Sequence, residues 1–142
     1  MAVIYSQVGI SGSSTPIGCP GPVPGYHTDI FLFCFGSSSV WDFGPVKGKL
    51  KRRPHPDPIT YFANRMVKPN SELHLWKMPN VTAELDNTSD EIGARNSIYD
   101  PLYNNSNYAA QQLLNSVGEQ LPDTDKWVPP YFPIRVPAGS CR

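Results

Sequence analysis

Long apolar runs are missing from this 142-residue chain. The longest, residues 30–35, has six residues, against the roughly 20 needed to cross a bilayer as a helix. No membrane partner is expected. Net charge is missing too: twelve Lys and Arg balance twelve Asp and Glu, so no global field points at nucleic acid or an anionic surface. The three cysteines, Cys19, Cys34 and Cys141, form no C-x-x-C pair and no Cys/His quartet at zinc spacing. Their odd number favours reduced thiols, with Cys34 as a small buried hydrophobe. The opening residues carry neither a positive region nor an apolar run of signal-peptide length, so export is not expected. The sequons at Asn80, Asn87 and Asn104 therefore read as polar loops. No repeat of 20–50 residues is present.

What the chain has in excess is proline, 16 residues, about twice the usual share of ~5%. Leu, Ile, Val and Phe together number 33, just above the level of about 20% below which chains tend not to fold alone. Breakers this frequent exclude long bundles and doubly wound α/β folds. The pattern predicts one domain over 1–142, a small β-rich and irregular fold with two short helices, extended Pro/Gly-rich arms and low regular secondary-structure content.

Residues 2–8 are β-prone, and residues 9–25, with five Gly and four Pro, form an arm. The run from Thr28 to Phe35 is the best strand, apolar on both faces, and predicts that Ile30, Phe31, Leu32, Phe33 and Phe35 are buried. Val40 to Phe43 returns beside it across a turn at residues 36–39. Residues 47–53 read as a basic run leading into a stiff polyproline spacer. Asp57 and Pro58 start a helix with Ile59, Phe62, Ala63 and Met66 on one face. Residues 73–78 alternate as a strand, with Leu73 and Leu75 opposite His74 and Trp76. Residues 81–85 form a weaker strand, and 86–107 are polar and turn-rich. Ser106 caps a helix over 107–117 with Ala109, Ala110, Leu113, Leu114 and Val117 inward and Gly118 as its stop. The C-terminal arm, 127–142, is too rich in proline for a helix or a central strand.

Chemistry is sparse at this level. His55 lies between prolines, and His27 and His74 have no local acid or thiol that suggests a triad. Asp90 and Glu91 are the only adjacent acids, and the Gly9–Ser14 segment has no phosphate-binding lysine. No catalytic residue, metal site or cofactor is expected, and the chain reads as non-enzymatic. Two surfaces stand out as binding candidates. Lys47, Lys49, Lys51, Arg52 and Arg53 form a patch for a polyanion or an acidic partner. Trp127, Tyr131, Phe132 and Ile134 on a stiff backbone suit anchoring to a protein partner. Residues 47–77 carry a balance of +6 and 83–125 one of −7, a segregation that suits docking between copies or neighbours, or pairing inside the fold.

The expected function is that of a structural subunit of a large assembly, held by its arms on other protein subunits or on copies of itself. A virion component (minor capsid, cement or tail-connecting protein), assembled in the host cytoplasm, leads this class on texture. A supernumerary subunit of an intracellular complex shares the same features, and a nucleic-acid-binding accessory protein using residues 47–53 follows.

Overall fold

A computed structural model describes residues 2–8, 26–34, 36–67, 71–100 and 104–119. Five strands, β1 (Ala2–Val8), β2 (Tyr26–Cys34), β3 (Ser37–Val46), β4 (Lys49–Arg53) and β5 (Ser71–Trp76), form one sheet in the order β4-β3-β2-β1-β5. Every pairing is antiparallel. The described residues also form three helices: α1 (Pro58–Met66), α2 (Thr82–Ala94) and α3 (Ser106–Ser116). They make a small mixed domain with β2 at the centre of its sheet and β4 and β5 at the edges.

Tight turns make this possible in so proline-rich a chain. Cys34 lies opposite Ser37, so two residues close the β2–β3 hairpin, with Gly36 at φ +81°. Val46 lies opposite Lys49. The intervening Lys47 and Gly48 have φ of 50° and 78°, the paired positive values of a two-residue hairpin turn whose twist matches the strands. The basic run is therefore not a linear stretch but a turn followed by strand β4, whose Leu50 is buried.

β2 is covered on both faces, as its unbroken apolar run requires. On one face Ile30 and Leu32 join Trp41, Phe43 and Leu50 under α2 and α3, which contribute Leu85, Ile92, Leu113 and Leu114. On the other, Phe31 and Val40 pack with Phe33, Phe62, Tyr61 and Met66 beneath α1. The Phe31 and Phe62 rings meet edge-on at 5.0 Å. Phe33 is half-buried, Cys34 is partly buried against the larger core, and Phe35 lies outside the described residues.

Several expectations change. Residues 81–85 are not a strand, and 86–107 are not mainly turns: α2 spans Thr82–Ala94, giving three helices where two were expected. Asn80 Oδ1 accepts from the Thr82 amide at 3.0 Å, and Leu85, Ser89 and Ile92 are the buried stripe at helical spacing. Helix α1 begins as expected, with Asp57 capping the Thr60 amide and Pro58 at its start. Its inward face is turned from the predicted one, however. Ile59 is 61% exposed and Ala63 is exposed, whereas Tyr61 and Arg65 point inward because both reach the buried Asp29. Helix α3 keeps its predicted apolar face and its Gly118 stop, at φ +82°. Its cap is Asn105, which accepts from the Tyr108 amide at 3.0 Å, not Ser106. Ser106 thereby sits inside the first turn with its hydroxyl free to face the sheet. The arms at 9–25 and 127–142 lie outside the described residues.

This layering ranks the phenylalanines. Phe31→Ala, removing a ring buried between sheet and α1, should cost about 3–5 kcal/mol in urea unfolding. Phe33→Ala, at a half-buried position, should cost distinctly less. Equal losses would contradict the layering.

Candidate functional site

At one end of the sheet, beside α1, two carboxylates are almost completely out of water: Asp29 at 0% and Asp42 at 1% exposure. Alternation along β2 puts His27 and Asp29 on one face, and Asp42 comes from the neighbouring β3. His27 Nε2 is 2.7 Å from Asp29 Oδ1 and 2.9 Å from Asp42 Oδ1. A carboxylate can only accept, so Nε2 carries a hydrogen shared between the two acids. The other ring nitrogen, Nδ1, is 2.8 Å from Ser106 Oγ. Serine, imidazole and carboxylate therefore lie in one hydrogen-bonded line, with the serine in the first turn of an 11-residue helix.

The remaining partners come from every adjacent element. Arg53 on β4 donates to both oxygens of Asp42, at 3.1 and 2.8 Å. His55 Nε2 donates to Asp42 Oδ2 at 2.6 Å, and its ring stacks on Tyr61 at 3.7 Å. From α1, the Tyr61 hydroxyl donates to Asp29 Oδ2 at 2.8 Å, and Arg65 Nε lies 3.1 Å from the same oxygen. Thr28, facing the other way, donates to Asn107 Oδ1 at 2.7 Å and ties the start of α3 to β2. Gly44 leaves room for the Arg53 side chain. A Cβ at that position would lie 2.5 Å from the Arg53 guanidinium carbon, so the arginine crosses the glycine on its way to Asp42.

Electrostatics follow from this packing. Burial alone pulls the His27 imidazole down, but the charges and hydrogen bonds of Asp29 and Asp42 outweigh it and push it up to about 9. Burial raises Asp42, yet hydrogen bonding and charge from His27 and Arg53 hold its carboxyl well below the usual range. Burial drives the Tyr61 phenol up, reinforced by Asp29 and Asp42, so it stays a donor. His27, Asp29 and Asp42 are also grouped closely enough to hold a cation, with ligand atoms within 4.8 Å. Their oxygens are already taken by Arg53, Arg65, Tyr61 and His55, and two guanidinium charges balance the two carboxylates. The donor set is satisfied by protein.

Of these residues the sequence singles out only Arg53, as part of the basic patch. His27 shows no local triad pattern: its partners are Asp29, two positions on, and Asp42 and Ser106, 15 and 79 positions away. The local clues were His27-x-Asp29 on a β pattern and a serine opening the best amphipathic helix. Of the basic candidates, Lys47 is exposed at the hairpin turn and Lys49 is half-buried. Lys51 donates to Gly93 O at 3.0 Å. Arg52 donates to Val40 O and Asp86 and lies over the Trp41 ring, and Arg53 pairs with Asp42. The positive segment thus meets the negative one within the fold, at Arg52–Asp86. Trp127, Tyr131, Phe132 and Ile134 lie outside the described residues, and so do Cys19 and Cys141.

His27 and Asp42 make stability depend on pH with opposite signs. His27 is raised from 6.5, so its contribution is complete below that value and is lost as pH climbs through about 9. Asp42 is lowered from 3.8, so its contribution is present above that value and disappears in acid. Thermal melts should therefore be highest between about pH 4 and 6.5 and decline toward pH 9, and His27→Gln should flatten the alkaline decline. A flat wild-type profile from pH 6 to 9 would contradict the assignment. Gly44→Ala should push Arg53 off Asp42 and lower stability by about 1–3 kcal/mol, readable in the same melts.

Comparison with protein-family models, with curated proteins and with solved structures finds no match to this chain.

Proposed function

We propose that this chain is a serine-dependent acyl-transfer enzyme, a hydrolase when water is the acceptor, with Ser106 as nucleophile, His27 as general base and Asp29 and Asp42 as the carboxylates that orient the imidazole. One observation carries the reading: the unbroken line from Ser106 Oγ through both ring nitrogens of His27 to buried carboxylate. Such a constellation is recognised by geometry and roles, whatever the chain order.

In the neutral imidazole, Nε2–H points at the aspartates and Nδ1 is the free base. It removes the Ser106 proton as Oγ attacks an acyl carbonyl. The imidazolium so formed is stabilised by two carboxylates, and the developing oxyanion lies by the first turn of α3, where backbone N–H groups and the helix dipole favour negative charge. Collapse of the adduct expels the leaving group, which takes the proton from Nδ1. Water then attacks the acyl-serine with His27 again as base, restoring the hydroxyl. Ser106 itself is 5% exposed and the His27 side chain beside it 20%. Esters and activated amides are the substrate class this chemistry serves.

The charge on His27 sets the pH at which this operates. Near neutrality the ring is an imidazolium that donates Nδ1–H to Ser106, so the basic form grows only toward pH 9. Hydrolysis of a p-nitrophenyl ester should show kcat/KM rising through a limb near pH 9. Ser106→Ala and His27→Gln should each lower it by at least about 10³-fold. Ester turnover that is unchanged in Ser106→Ala would overturn the reading.

A second reading, the non-enzymatic assembly subunit with a virion component as its leading form, is favoured by a different observation. β5 is an outer strand of the sheet, and its Leu73 and Leu75 are 38% and 58% exposed, an edge that a neighbouring chain could cover. The aromatic residues 127–134 would supply the remaining anchor. On that reading the chain sediments as an oligomer or co-purifies with a particle, and deleting residues 127–142 abolishes incorporation.

A further inference from the structure

A second histidine bears on the same pair of carboxylates. His27 reaches Asp42 Oδ1 at 2.9 Å and His55 reaches Asp42 Oδ2 at 2.6 Å, so one buried carboxylate joins two imidazoles. His55 is held flat against Tyr61, whose hydroxyl is bonded to Asp29, and Pro54 and Pro56 restrict the backbone on either side. His55 also lines an open cavity of about 560 Å³ shared with Ser38, Arg52 and Pro58. His55 is thus the one histidine of the site that stands between the buried carboxylates and this open cavity.

We propose that His55 is a positioning residue for the Ser106–His27 pair: by donating Nε2–H to Asp42 Oδ2 it draws that carboxylate's charge away from His27 and so sets how readily His27 gives up its proton. The proposal rests on the reading of His27 as the base for Ser106. The physical cause is competition for one acceptor. Asp42 has a limited negative charge to share among Arg53, His55 and His27, and each donor on Oδ2 weakens the hold of Oδ1 on the His27 ring.

The groups that face His27 are Asp29 on β2, Asp42 on β3, Arg53 on β4, His55 beyond it, Tyr61 and Arg65 on α1 and Ser106 on α3. Among the acceptors, Asp29 has its second oxygen bonded by the Tyr61 hydroxyl and paired with the Arg65 charge. Asp42 has Arg53 and His55, whose ring alone borders the cavity. A change at His55, by substitution or by something seated in that cavity, therefore reaches His27 most directly through Asp42, and less directly through Tyr61 and Asp29.

The test is a histidine NMR titration of the full chain, which reads His27 directly and needs no substrate. His55→Phe keeps a ring to stack on Tyr61 and removes the donor, so the His27 midpoint should rise by about one pH unit. His55→Gln keeps a donor and should return the midpoint toward wild type. If His55→Phe does not fold, Asp42→Asn supplies the opposite sign: without that carboxylate's charge the His27 midpoint should fall. A His27 midpoint unmoved by His55→Phe, or moved equally by Phe and Gln, would overturn the proposal. So would a midpoint that does not fall in Asp42→Asn. The alkaline limb of ester hydrolysis should follow the same shifts. Absence of any hydrolysis would remove the reading of Ser106 as nucleophile while leaving the titration to decide the role of His55.

Discussion

Two carboxylates buried at adjacent strand positions are the constraint around which this domain is arranged. An unpaired buried charge costs several kcal/mol, so each layer must send a compensating group. β4 sends Arg53, α1 sends Tyr61 and Arg65, the proline segment sends His55, and β2 supplies His27 between the acids. This is why α1 turns Tyr61 and Arg65 inward and leaves Ile59 in water, while Gly44 leaves room for the Arg53 side chain. The polar cluster continues the small apolar patch of Phe31 and Val40 beneath α1. The larger core of Ile30, Trp41, Leu50 and Leu113 supports the opposite face and, with the Thr28–Asn107 bond, fixes the start of α3 against β2. The position of Ser106 beside His27 is a consequence of that docking.

Much of the framework was legible because it is local. The β2 run, the Asp57-Pro58 start of α1, and the apolar face and Gly118 stop of α3 each rest on residues within a few positions of one another. Elements set by distant partners were not. β4 reads as a basic spacer until Asp42, Asp86 and Gly93 O are in place to receive Arg53, Arg52 and Lys51. α2 hides its stripe because one of its three buried positions is Ser89 and most of the rest are polar. The one-residue error at the cap of α3 mattered most: with Asn105 as the cap, Ser106 changes from a structural hydroxyl to one aimed at an imidazole.

The candidate site was illegible for the same reason. The cluster is a relation between strands and helices, and of His27's partners only Asp29 is local, while Asp42 and Ser106 are 15 and 79 positions away. Composition argued for arms and assembly, and those arms fall outside the described residues. The two readings make different demands on the molecule. An assembly subunit needs the buried cluster only as a strut, whereas an acyl-transfer enzyme needs one hydroxyl in it to be more reactive than an ordinary serine.

That difference is measured most directly by exposing the full chain to a fluorophosphonate and determining the intact mass and the modified peptide. The account predicts one covalent phosphonyl group, located on Ser106, forming faster as pH rises toward 9 and lost in His27→Gln. A chain that gains no mass at any pH in this range, or that is labelled at scattered hydroxyls independently of His27, would contradict it.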